Sequence, residues 1–412
     1  MAKLRSFLLL LGLAAMAASH PLEEVYSWKQ VDYNFPNDSV RQKYIATGDF
    51  IQENNLPLGL NIWKNKMFIT VPRWKKGIAA NLNYFLMNET NSADAKSPKL
   101  TPYPDWETND INSSSDSKIV NFFRVRVDAC DRLWGVDTGV DDIVGDGTSV
   151  IPSTLVVFDL NTDKIIRRYP LKDSDKKPDS FFADLVVDVD RDDCDNAHAY
   201  ISDIAGYGLV VYSWAKNDSW RVEHNYFYFD PLNGDFNVSG FNFQWTDGVF
   251  GLSLSGSQKD GSKTLYFHAM SGITEFLVST DILKNETLAT TDNYYHFRVV
   301  GDKGPRSQGP SSIIDPETGI NYFTQVQKNG IACWDTNEPL NSDTLRLVDK
   351  EDVKLLFPND LTIDRDTRKL YVLADNLPTY LHSLLDVTKE NFFITAANLD
   401  ILTELCKGKG QH

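Results

Sequence analysis

The sequence predicts an all-β fold: a six-bladed β-propeller with four-stranded blades, its ring closed by an N-terminal strand. Three observations carry the prediction. A phrase of apolar strand, acidic turn, aromatic-rich strand and alternating third strand recurs along the chain. Turn residues punctuate it about every 8 to 12 residues, while helical periodicity is nearly absent. No Ser/Gly/Pro-rich linker or low-complexity block divides it into separate domains. A repeat of this kind cannot bury its faces alone, so its copies stack side by side and close into a ring.

The copies follow in order. The first and weakest comprises Pro57–Asn61, Met67–Val71 and Ala80–Tyr84. The second reads Phe123–Asp128, Leu133–Asp137 and Thr154–Asp159, and the third Ala183–Asp188, Ala199–Asp203 and Gly208–Tyr212. The fourth is Phe250–Ser255, Leu265–His268 and Ile273–Val278, and the fifth Ser311–Asp315, Tyr322–Gln325 and Gly330–Trp334. The sixth is Asp360–Asp364, Leu370–Leu373 and Tyr380–Leu384. Asp128, Asp188, Asp315 and Asp364, each closing a first strand, lie 60, 127 and 49 residues apart, the middle interval spanning two copies. The segment Val25–Tyr33 is expected to complete the last blade and latch the ring. Seven blades is the main competing count.

Residues 1–19 read as a signal peptide. Lys3 and Arg5 precede the apolar run Phe7–Ala15, and small residues follow to Ser19. That run is too short for a bilayer core, which takes about 20 residues. The expected organisation is a signal peptide over 1–19, a propeller over 20–400 and a C-terminal tail over 401–412. The expected product is secreted, extracellular and monomeric. The whole chain has 41 basic and 57 acidic residues for a net charge of −16. An acidic surface of this kind repels nucleic acid and anionic membranes and suits cationic small molecules. Six sequons, at Asn37, Asn88, Asn112, Asn217, Asn237 and Asn285, point to N-glycosylation.

Several chemistries are disfavoured. The seven histidines form no HExxH pair, so no zinc site is expected. Asp188–Asp192 begins like a calcium loop but has Asp193 at the glycine position and Ala199 at the final glutamate position. Gly251–Ser255 lacks the last glycine of a nucleophile elbow, and no phosphate-cradling loop exists. The acidic loop Asp141–Asp146 reads as a solvated surface insert. No cofactor is expected; calcium at an acidic tunnel mouth is the one metal with any support.

The wording of the chain resembles the insect Yellow / major royal jelly protein family over its mature length. The resemblance rests on Val71-Pro-Arg-Trp74, Thr101-Pro-Tyr-Pro-Asp-Trp106, Cys130-Asp-Arg-Leu-Trp134, Gly206-Tyr-Gly-Leu209, Tyr212-Ser-Trp214, Gly234-Asp-Phe-Asn-Val238 and Phe357-Pro-Asn-Asp360. It implies a six-bladed ring, secretion and a role in cuticle melanisation. Some relatives resemble dopachrome-converting enzymes, and others binders of aromatic biogenic amines. The chain departs from many relatives in one respect. Neither Asp110–Ser117 nor Val140–Pro152 holds a cysteine, so a pair common in the family is absent.

Four cysteines in an exported chain predict two disulfides. Cys130 and Cys194 occupy the same turn of successive copies, which a ring makes neighbours, so they are expected to pair. Cys333 and Cys406 then tie the tail to the fifth blade. If the first strands run away from one face, the opposite, near face gathers Asp137, Asp203 and Asp375 from second-strand ends. The same face receives Asp184, Asp247, Asn359 and Asp360 from first-strand starts, with Gln308 and His268 close to that level. Such carboxylates and amides suit an amine head group, with Phe182, Phe250, Trp245 and Phe357 as stacking walls. The plainer reading is that each aspartate binds turn amides.

Two functions fit. One is a non-catalytic pigmentation factor binding a small aromatic, catechol- or indole-like amine at the tunnel mouth. The other is a dopachrome tautomerase, which needs a base (Asp203 or His268) and a charge stabiliser (Arg73). A storage role is third, since the composition bias expected for one is absent.

Overall fold

The computed structural model describes residues 20–87, 96–259 and 261–408, so the signal peptide and the Asn88 sequon lie outside the described residues. Six four-stranded antiparallel sheets follow one another around a ring. The inner strands are Gly59–Trp63, Phe122–Val127, Phe182–Asp188, Val249–Leu254, Ser312–Asp315 and Pro358–Asp364. Each packs on the inner strand of both neighbouring blades, so the ring is closed without a gap. The last blade takes its outer strand from the other end of the chain, where Glu23–Trp28 pairs with Phe392–Asn398. Closure of this kind lets the ring open only if that whole strand is stripped away.

Burial explains the strand composition. Middle strands are covered by neighbouring blades on both faces, so His198–Asp203 and Gly208–Ser213 are buried at every residue. Outer strands meet solvent, and Lys164–Pro170 and Arg346–Lys350 carry charge accordingly. Both expected disulfides form. Cys130–Cys194 joins the second and third blades, and Cys333–Cys406 anchors the helix Leu399–Cys406 to the fifth. Asn37, Asn112, Asn217, Asn237 and Asn285 are all exposed. Asn37 and Asn285 cap helices.

Two sequence expectations fail here. Tyr380–Leu384 is not a strand: Leu377–His382 is a short helix, with Pro378 in its first turn and the Leu377 amide held by Asp375 at 3.2 Å. The third strand of that blade is Phe392–Asn398. The Asp141–Asp146 loop is more than a solvated insert. Its base pairs Val140–Asp141 with Thr148–Ser149, and the Ile143 and Val144 amides bond to the Arg73 and Trp74 carbonyls at 3.1 and 2.9 Å. Ile143 thereby packs onto the core of the near face.

A third insertion also covers the near face. Asp235–Val238 and Phe241–Gln244 form a hairpin that belongs to no blade. Its two-residue turn, Ser239-Gly240, has φ of 54° and 80°, the left-handed pair that matches hairpin twist. The tunnel mouth is therefore roofed by this hairpin, the 377–382 helix and the 140–149 loop.

Candidate functional site

Beneath the roof lies a cavity of about 30 Å³ counted for water-sized occupants. Its walls are Trp74, Phe123, Phe181, Trp245, Phe250 and Phe357, with Leu58, Ile204, Met270, Pro310 and Leu377 between them. Trp74, Phe123 and Phe181 run edge to face around one side, with ring centres 5.0 and 4.7 Å apart. On the other side Trp245 and Phe357 lie nearly parallel at 6.3 Å. Phe357 adopts φ of 54°, a left-handed conformation rare for a bulky side chain and found chiefly where surrounding structure imposes it. Among the described residues, Asp247 and Asn359 are the acidic and amide residues of the lining.

Asp247 is the chemically distinctive one. Removal from water pushes its carboxyl up to about 7, opposed only by a hydrogen bond from the Trp245 side chain. Among the described residues no lysine, arginine or histidine forms an ion pair with it. Asn359 is held rigidly. Its Nδ2 donates to Asp375 at 2.8 Å, and its Oδ1 accepts from Arg124 at 3.1 Å.

Below the cavity the tunnel is plugged by ions. Arg124 and Arg126, two apart on one strand, project into the axis and meet Asp184 and Asp360 from other blades. Arg124 reaches Asp184 at 2.9 Å, the Pro310 carbonyl at 2.9 Å and the Asn359 carbonyl at 2.6 Å. Arg126 bridges Asp184 at 2.8 Å and Asp360 at 3.0 Å. Asp360 also accepts from the Leu60 amide and the Ser311 hydroxyl, both at 3.0 Å. With the Arg124 guanidinium 4.5 Å from the Phe250 ring centre, the plug touches all six blades. Burial raises the Asp360 carboxyl, but Arg126 and then Arg124 overcome it and hold the group below the ordinary carboxylate range. At Asp184 burial outweighs the same two arginines, and the group lies above that range.

The remaining candidates are employed elsewhere. Asp137 accepts from the Val120, Asn121 and Gly139 amides at 2.8, 2.8 and 2.9 Å. Asp203 binds the Phe181 and Gly206 amides and pairs with Arg221 at 2.8 Å. Asp375 holds Asn359 and the Leu377 amide, and burial raises its carboxyl well above the ordinary value. These three aspartates stitch second-strand ends to neighbouring loops and do not line the cavity. Gln308 donates to the Asn233 carbonyl at 3.1 Å, under the approach to the roof hairpin. Arg73 spends its guanidinium on the Val120, Ile78 and Asn109 carbonyls.

His268 also lies away from the cavity. It is enclosed between the fourth and fifth blades with Nδ1 2.8 Å from Glu275, which in turn lies 3.5 Å from Lys303. Burial, then Lys303, lowers its pKa. Its ring occupies the space a side chain at Gly251 would need, since a Cβ there would meet it at 2.3 Å.

Of the expected walls, Phe250, Trp245 and Phe357 line the cavity, but Phe182 points between blades and Phe181 takes its place. The cause is a bulge. Register shifts interrupt the inner strands between Phe182 and Asp184, and likewise after Phe122, Val249 and Pro358, so alternation cannot be carried across them. Arg124 and Arg126 were the missed polar residues. Their signal was two charges at a two-residue spacing within an innermost strand.

Among the described residues no group of three or more His, Cys, Asp or Glu is arranged to hold a metal, and no helix is long and apolar enough to cross a membrane. The family profile described as major royal jelly protein matches residues 120–406. Protein yellow of Drosophila melanogaster is 43% identical over 389 residues, 94% of this chain and 70% of its own length. Protein yellow of Drosophila madeirensis is 41% identical over 402 residues, 96% of this chain and 69% of its own. A solved luciferin-regenerating enzyme covers 84% of this chain and 91% of its own at 11% identity, with a TM-score of 0.48. That distance is too great to bear on chemistry.

Proposed function

The chain belongs to the Yellow and major royal jelly protein family, and on that premise we propose a secreted protein of the cuticle pigmentation pathway that binds a catechol- or indole-type amine in the roofed cavity. One observation carries the reading: Asp247 is a carboxyl without a cationic partner in a space walled by six aromatic rings. An aromatic ammonium supplies both missing contacts, a counterion for Asp247 and a cation or ring for the aromatic faces. Secretion and glycosylation are supported by the N-terminal sequence, the two disulfides and the exposure of five sequons.

A second reading, dopachrome tautomerase, has its own support. A carboxyl near neutrality is suited to general-base work. The reading lacks a partner for the developing phenolate, because Arg73 and Arg124 are occupied by carbonyls and carboxylates and His268 is walled off. Calorimetry with dopamine at pH 7.5, beside a spectrophotometric dopachrome assay, separates the two. The binding reading expects micromolar affinity that Asp247→Asn weakens roughly ten- to a hundred-fold, with dopachrome decay at background. Rapid turnover lost in Asp247→Asn favours the enzyme, and silence in both assays overturns both.

A further inference from the structure

We propose that the 235–244 hairpin is the gate of this cavity, swinging as a unit about its base and carrying Trp245 with it; the inference rests on the cavity being the ligand site. Three features support it. First, the space is small. About 30 Å³ admits one or two waters, whereas sites for small organic ligands run to about 300 Å³ or more. Something must move for an aromatic amine to enter.

Second, the hairpin is joined to the ring by side-chain docking and not by strand pairing. Its strands pair only with each other, and an isolated two-stranded ribbon has marginal stability of its own. What holds it is docking. Phe236 and Val238 turn inward and are buried, while Asp235 and Asn237, alternating with them, face solvent. The tip is fastened by few polar contacts. Gln327 of the fifth blade exchanges two hydrogen bonds with it, accepting from the Asn237 amide at 3.0 Å and donating to the Asp235 carbonyl at 3.1 Å. The Ser239 hydroxyl reaches Asn376 at 3.3 Å. These clasps are solvent-exposed, so water can replace them at little net cost.

Third, the base of the hairpin is part of the site. The Trp245 amide closes the hairpin on the Gly234 carbonyl at 2.8 Å. The same residue stacks on Phe357, lines the cavity and hydrogen-bonds Asp247. Lifting the hairpin therefore opens the aromatic wall and frees the carboxyl in one movement, so entry and exposure of the binding group are coupled. Asn237, the exposed sequon on the same hairpin, would place any glycan on the moving element.

Hydrogen–deuterium exchange on the secreted protein, without ligand, tests the gate independently of amine binding. The Trp245 amide and those of 236–243 are expected to exchange at least a hundred-fold faster than the Gly208–Ser213 strand, and Gln327→Ala to accelerate them further while leaving the blades unchanged. Exchange of the hairpin as slow as that strand overturns the gate. Stopped-flow tryptophan fluorescence with dopamine then reads the coupling: Gln327→Ala is expected to raise the association and dissociation rates together by several-fold, with little change in Kd. Unchanged rates in that variant also overturn it. A hairpin that opens in a protein indifferent to dopamine leaves the gate standing and removes the amine as its ligand.

Discussion

Two neighbouring parts of the tunnel hold carboxylates, fully buried in one and half-buried in the other, and treat them in opposite ways. In the ionic plug, Asp184 and Asp360 share two arginines and further amide and hydroxyl donors. In the cavity just above, Asp247 has apolar walls and one indole hydrogen bond. Burying a charge is costly unless it is paired, so the plug is a completed structure and the cavity an incomplete one. The difference teaches where to look for function: at the cavity carboxyl that, among the described residues, has neither a cation nor a backbone amide, rather than where carboxylates are most numerous.

The comparison can be broken most forcefully at the plug. Arg124→Met leaves Asp184 and Asp360 with a single shared cation and removes contacts to four blades. Loss of one partner from a buried ion pair costs about 3–5 kcal/mol. A clear drop in the urea midpoint is expected, and an unchanged midpoint would mean the plug is not structural. At the cavity, Asp247→Asn removes a charge-assisted contact worth about 1.5–3 kcal/mol, so dopamine affinity should fall roughly ten- to a hundred-fold. Its fold should survive, and circular dichroism checks that.

Asp203→Asn sharpens the contrast from the other side. It disturbs the Arg221 pair and two backbone amides, so a loss of about 1–3 kcal/mol in stability is expected, with amine affinity retained. Asp203 would return as a ligand-binding residue if affinity fell while stability held. The same contrast appears in the pH dependence of stability. The Asp247 carboxyl titrates higher in the folded protein than in the unfolded chain. Its contribution is therefore fully present below about pH 4 and lost as pH rises towards 7. Asp247→Asn should consequently melt no lower than wild type at pH 4.5 and higher than it at pH 7.5. The opposite ordering would contradict an uncompensated carboxyl.

Much of the ring was legible in the sequence because its signals are repeated. Six copies of one multi-strand phrase pointed to six blades, and the shared turn of Cys130 and Cys194 pointed to their pairing. The segment Val25–Tyr33 was expected to supply the latch, and the strand observed is Glu23–Trp28. The site was legible only in part. Asp247, Asn359, Phe357, Trp245 and Phe250 were drawn to the near face correctly, but nothing local distinguished Asp247 from Asp184, Asp203 or Asp375. For Asp184 and Asp203 that distinction depends on Arg124, Arg126 and Arg221, 18 to 60 positions away, and for Asp375 on the Asn359 amide and the Leu377 N–H. Phe181 was missed because a bulge resets alternation one residue after it, and the roof because a short hairpin and a six-residue helix sit outside the repeat.

The central claim is that Asp247, and no other carboxylate of the near face, receives the ligand's positive charge. The most direct test is dopamine affinity measured by calorimetry from pH 5.5 to 8.5 in wild type and Asp247→Asn. The amine remains charged over most of this range, so the profile reports the carboxyl. Wild-type affinity is expected to climb close to ten-fold per pH unit, bend near 7 and level off above it, while Asp247→Asn binds weakly with a flat profile. A flat wild-type profile, or a variant that keeps the same bend, would contradict the account.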